Sequence, residues 1–185
     1  MIKIFIILLT FINFNVYAFN LSEQTNYKIG SQTGYKLPRF ATLKSDKINL
    51  RVGSSKNYPI VLQYNVKNLP IEILDEYDNW REIIDIDGNH GWILGSLLTG
   101  KKYAIIKESK KKYSKLYSKP NGLEIGKIGN LNIVKVNTCL KKWCFIGHNK
   151  DKGWIKKKNI WGVYENELIN VPVYQPLKNL LWKIN

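Results

Sequence analysis

The chain has 185 residues, 44% of them hydrophobic, and a formal net charge of +15, room for one ordinary domain or two very small ones. Only Arg39, Arg51 and Arg81 of the basic residues are arginines, which argues against nucleic-acid readout built on the arginine fork. Two cysteines and two histidines without ligand spacing argue against a metal centre, and no cofactor is expected.

Residues 1–18 read as a signal peptide: Lys3, an apolar run from Ile4 to Ile12, then Val16-Tyr17-Ala18 with small residues at the cleavage positions. About ten apolar residues fall short of the roughly 20 that a bilayer span needs. The mature protein is therefore expected to start near Phe19 and to be periplasmic or secreted, an uncleaved anchor being the alternative. The first cysteine is Cys139, so lipid attachment to an N-terminal cysteine is excluded. Residues 19–38 are polar and aperiodic and read as a leader or linker.

From there one unit is written twice, over 39–101 and 102–165. Trp80 aligns with Trp143, Gly91-Trp92 with Gly153-Trp154, and Gly100 with Gly162; upstream, "FATLK" at Phe40 matches "YAIIK" at Tyr103. "PIEIL" and "NIVKV" alternate apolar and polar residues as half-buried strands do. Arg81 to Leu94 reads as a hairpin turning at Asp87-Gly88. "GSLLTG" and "KKNIWG" have the length of a single 3₁₀ turn. Several short strands in so small a unit bury their faces by closing into a small barrel. The fold class is therefore all-β, two tandem barrels. A tail, 166–185, is apolar enough to lie back on the second unit or on a partner.

The Trp alignment also sets a register. With Asp78-Asn79 as a two-residue turn, Tyr77 pairs with Trp80 and Glu76 with Arg81; the same register pairs Leu140 with Trp143 and Cys139 with Cys144. Residues opposed at a non-hydrogen-bonded position lie about 4.5 Å apart, within disulfide reach. In an exported chain a Cys139–Cys144 disulfide is the expectation. A catalytic Cys144–His148 pair is the rival, and it lacks an orienting third group.

"SDKINLRVGSSKNYPIV" followed by "DNWREIIDIDGNHGWILGSLL" resembles the bacterial Src-homology-3-like (SH3-like) domain, with its Asn-x-Arg-x-Gly, Tyr-Pro, Trp strand and Gly-Trp strand. The closing "KGWIKKKNIWGVYENE" is similar to an exported family of tandem SH3-like proteins from alphaproteobacteria. The second copy lacks the Asn-x-Arg-x-Gly run. The resemblance implies SH3-like barrels, an envelope location and a binding role.

Candidate ligand residues follow. Arg51 could clamp a peptide carboxylate, or stack on its own barrel while Asn49 forms the turn. Tyr58, Tyr64, Tyr77 and Trp80 form a candidate aromatic groove for an extended peptide, with Tyr113, Tyr117 and Trp143 as counterparts; Trp92 is expected to be the buried tryptophan. Lysine clusters at 107–115 and 154–159 read as solvated faces enriched by compositional drift, with weak attraction for an anionic polymer. Asp85 and Asp87 fall in a turn, where aspartate serves the backbone. The reading is a non-enzymatic module docking onto a cell-wall peptide or an envelope protein. The alternatives are a scaffold using the inter-barrel surface and the tail, or a small cell-wall hydrolase or its regulator.

Overall fold

The computed structural model describes residues 27–108, 111–148 and 151–171. The signal segment 1–18, the start of the leader at 19–26 and the end of the tail at 172–185 lie outside the described residues.

Two short strands, β1 (Lys28–Ile29) and β2 (Lys36–Leu37), pair as a hairpin. The first unit then runs β3 (Arg39–Leu43), β4 (Ile48–Arg51), β5 (Ile60–Tyr64), β6 (Pro70–Tyr77), β7 (Trp80–Ile84), β8 (His90–Leu94) and β9 (Leu98–Thr99). The second runs β10 (Tyr103–Ile106), β11 (Tyr113–Tyr117), β12 (Glu124–Gly129), β13 (Ile133–Cys139), β14 (Trp143–His148), β15 (Asp151–Lys156) and β16 (Ile160–Trp161). Each unit is one curled antiparallel sheet, in the order β5-β4-β8-β7-β6-β3-β9 and β12-β11-β15-β14-β13-β10-β16. Counterpart for counterpart, the two orders are the same. Even the register shifts repeat, at Leu50/Arg51 and Leu116/Tyr117 and again at Ile73/Asp75 and Val136/Thr138. Among the described residues the only helical segments are 3₁₀ turns, Gly95–Leu97 and Lys157–Asn159.

Each sheet closes over its own core. Leu43, Ile48, Leu50, Ile71, Ile83 and Ile93 fill the first, and Ala104, Ile106, Val134, Ile146 and Ile155 fill the second. The repeated glycine before tryptophan has a steric cause. A Cβ on Gly91 would lie 2.5 Å from the Arg51 carbonyl oxygen, so β8 meets β4 only because it lacks a side chain there; one on Gly153 would lie 3.1 Å from the Leu116 Cβ, a tight approach at the same point of the second unit.

The tryptophans behave differently from expectation. In β8 it is Ile93 that enters the core, so alternation turns Trp92 outward and leaves it half-buried, while Trp80 is buried. The leader also does more than link. From 27 to 38 it lies on the first unit, with Leu37 in that core and Lys28 paired with Asp75. Its loop closes over Glu76, whose carboxylate accepts the Gln32 and Thr33 backbone N–H groups at 3.0 and 2.9 Å and the Thr33 hydroxyl at 2.7 Å. Arg39 donates to the same carboxylate at 2.6 Å, and Arg81 lies 3.6 Å from it. The tail answers at the equivalent place in the second unit: Ile169 bridges Cys139 through paired backbone bonds of 2.9 and 3.1 Å.

The units meet through aromatic rings. Phe40 packs edge-on to Trp161 at 5.0 Å and against Tyr164 at 4.7 Å, and the Tyr164 hydroxyl donates to Glu72 at 2.7 Å. Gly162, at φ +118°, permits the bend between those rings; a Cβ there would lie 2.7 Å from the Tyr103 carbonyl oxygen.

Candidate functional site

In the first unit the proposed groove does not assemble. Arg51 donates to the Tyr58 carbonyl at 2.7 Å, and the Tyr58 ring covers Gly53 so closely that a Cβ would lie 2.6 Å away. This loop is closed by its own residues. Tyr64 is buried and donates to Asp85 at 2.9 Å; burial, then the Asp85 charge, pushes its phenol far above the usual range. It belongs to the first core, its hydroxyl tied to Asp85. Tyr77 is exposed at the hairpin tip beside the buried Trp80, and among the described residues no ring contact joins it to Tyr58.

Asp85 is explained by the same network. It accepts the Asp87 and Asn89 backbone N–H groups at 3.0 and 2.9 Å and the Asn89 amide at 2.8 Å, the hydrogen bonding of a turn former.

The hairpin register is observed in both units: Glu76 opposite Arg81, and Cys139 opposite Cys144. The two cysteines form a buried disulfide with Cα atoms 4.1 Å apart. Cys144 therefore carries no thiol for catalysis, and His148 places Nδ1 3.0 Å from the Ile133 carbonyl oxygen instead. Among the described residues no cluster of three or more metal-ligating side chains occurs.

The second unit does bring candidates together. Tyr117 stands edge-on to Trp143 at 5.2 Å, and the Lys156 ammonium lies 5.9 Å from the Trp143 ring. Tyr113 stands elsewhere, with the Lys127 ammonium 4.8 Å over its ring. A cavity of about 580 Å³ is lined by Trp143, Ile160 and Val163, all nearly buried, and by Lys141, Lys142, Lys156, Lys157, Lys158, Asn121 and Glu165. Turn and strand geometry converge there. Lys141 and Lys142 form the tip of the β13–β14 hairpin, and Lys156 to Lys158 lead from β15 into its 3₁₀ turn.

Lys157 is the residue that the sequence did not single out. It is 4% exposed, and its ammonium donates to the Glu165 and Glu167 carbonyls at 3.0 and 2.7 Å. Burial lowers its pKa, opposed by the neighbouring Glu167 and Glu165 charges. The available signal is its alignment with Gly95 in the corresponding turn of the first unit.

Comparison with known proteins fits this geometry. The family model described as bacterial SH3 domain matches residues 44–100 and 132–162, the body of the first unit and the tryptophan hairpins of the second. None of the curated proteins compared matches the chain. Among solved structures, the chain is similar to NlpC2 from Trichomonas vaginalis at 13% identity and a TM-score of 0.30, over 69% of this chain and 49% of that one. NlpC1 from the same organism gives 13% identity and a TM-score of 0.29, over 71% of this chain and 48% of that one. The chain thus spans about half the length of each. Both halves, two sheets of one topology, are thus similar to the bacterial SH3 domain.

Proposed function

We propose that the protein is an exported, non-catalytic docking module of the cell envelope, holding a cell-wall peptide or a segment of an envelope protein. The observation that carries this reading is the second-unit cavity: a tryptophan, two apolar side chains and several free ammonium groups line a place to hold a peptide. It offers no nucleophile with an oriented base, because Cys144 is tied into the disulfide. A disulfide is the form that cysteines take in an oxidising compartment, in keeping with export. The scaffold alternative loses its main surface, since Phe40, Trp161 and Tyr164 of the chain itself fill the junction of the units.

Purified sacculi incubated with the mature chain test the cell-wall branch. Retention at ~0.15 M salt that declines as salt rises is the expected result, because the exposed lysines are screened over a Debye length of about 8 Å. No retention at that salt removes the cell wall and leaves the envelope protein as the ligand.

A further inference from the structure

We infer that the second-unit cavity takes an acidic peptide segment carrying two or more carboxylates beside an apolar residue, and that the first unit has no counterpart of this site. The inference deepens the docking reading and rests on it.

The duplication supplies an internal control. Register places Trp80 opposite Leu94 and Trp143 opposite Lys156, so the paired strands at this end of the two hairpins correspond residue for residue. Where the second unit has Lys141, Lys142, Lys156, Lys157 and Lys158, the first has Asp78, Asn79, Leu94, Gly95 and Ser96. Compositional drift toward lysine acts on both copies of a repeat. Here the lysines gather in one copy, at positions that turn and strand bring to one cavity.

The charges are also unspent. Lys28, Lys102 and Lys115 pair with Asp75, Glu167 and Glu124, yet Lys141, Lys142, Lys156 and Lys158 are exposed and join no ion pair among the described residues. Like charges held together repel, and an anion seated among them relieves that repulsion. Lys157 adds a charge whose place is fixed by two carbonyl groups.

The rest of the lining selects the kind of anion. Ile160 and Val163 accept an apolar side chain, while the Asn121 amide and the Glu165 carboxylate can accept N–H donors. A peptide presents carboxylates, N–H groups and an apolar side chain together. A bare polyphosphate presents acceptors alone and leaves the Asn121 and Glu165 oxygens without a donor. Lysines, as separate point charges, suit carboxylates spaced along a chain.

The test titrates the mature full-length chain with a short synthetic Glu-Leu-Glu peptide, its Gln-Leu-Gln analogue and inorganic polyphosphate, following tryptophan fluorescence. The acidic peptide is expected to bind about tenfold or more tightly than its amide analogue at ~0.15 M salt. Lys141→Glu with Lys158→Glu is expected to remove that advantage; Lys47→Glu with Lys56→Glu, the same charge change on exposed lysines of the first unit, should alter binding less than about twofold. Equal loss from both pairs overturns the site in favour of overall charge. Polyphosphate bound as tightly as the acidic peptide, and lost with the same two substitutions, overturns the peptide class. Sacculi still retained after Lys141→Glu and Lys158→Glu overturn the site while docking survives. Acidic-peptide binding by a chain that sacculi do not retain supports the site and makes an envelope protein its source.

Discussion

Glu76 is the residue on which the first unit closes. Its side chain has no exposed surface, so burial alone would favour the neutral acid. Hydrogen bonds from Thr33, Arg39 and the Gln32 and Thr33 backbone outweigh that, and its pKa falls from 4.5 to about 2. Because the folded value lies below the unfolded one, the contribution is complete above about pH 4.5 and is lost as pH falls toward 2. A shift of this size is linked to up to about 3 kcal/mol. Urea denaturation between pH 7 and pH 2 should show a decline confined to that window, and Glu76→Gln should flatten it and cost about 3 kcal/mol at pH 7 by stranding two guanidinium groups. The sequence exposed half of this arrangement. The Glu76–Arg81 pairing follows from a two-residue turn before Trp80. The cap does not, because backbone N–H groups of a polar, aperiodic segment leave no side-chain pattern to read.

The hairpin is the element that shows what duplication keeps and what it changes. Topology, bulges and the Gly-Trp glycines persist because each is imposed by closing a short sheet; spacing and alternation expose the repeated strands and the Gly-Trp positions, while strand order and bulges leave no pattern in the sequence. The chemistry at the crossing point is free to differ. One copy holds a buried carboxylate gripped by arginines and the other a disulfide, with the leader or the tail laid over each. Cys139→Ala with Cys144→Ala should lower stability by about 2 kcal/mol in urea unfolding, the chain-entropy value for so short a loop. Thiol titration of the denatured, unreduced protein should find no free cysteine. The proposed binding face is less legible than the fold. Aromatic residues are its expected signal, but parity sends Tyr64 inward and the loop around Arg51 closes on itself. What marks the face is a difference between aligned copies, five lysines against Asp78, Asn79, Leu94, Gly95 and Ser96, which neither copy reveals alone.

Across the whole molecule the two cores are separate, yet the joint between them is built like an interior. Phe40 is 9% exposed, buried against two rings of the other half, and Tyr164 reaches back to Glu72. Desolvation, then the Glu72 hydrogen bond, pushes the Tyr164 phenol well above its ordinary value, so this contact persists through the physiological pH range. Calorimetry of the intact chain should show one unfolding transition. Phe40→Ala, losing about 3 kcal/mol of aromatic packing, should split it into two. The relative placement of the halves was not legible beforehand because Phe40 sits in the first copy and its partners in the segment that closes the second, with no shared periodicity to connect them.

The clasp over Glu76 bears on where such a repeat can be cut. Its donors lie at 32–39, upstream of the 44–100 stretch that bacterial SH3 domains share. A fragment trimmed to that shared stretch would keep the carboxylate and discard most of what neutralises it, together with Leu37 and Phe40. Such a piece would resemble a door removed with its hinge left on the frame: complete in outline, and unable to shut.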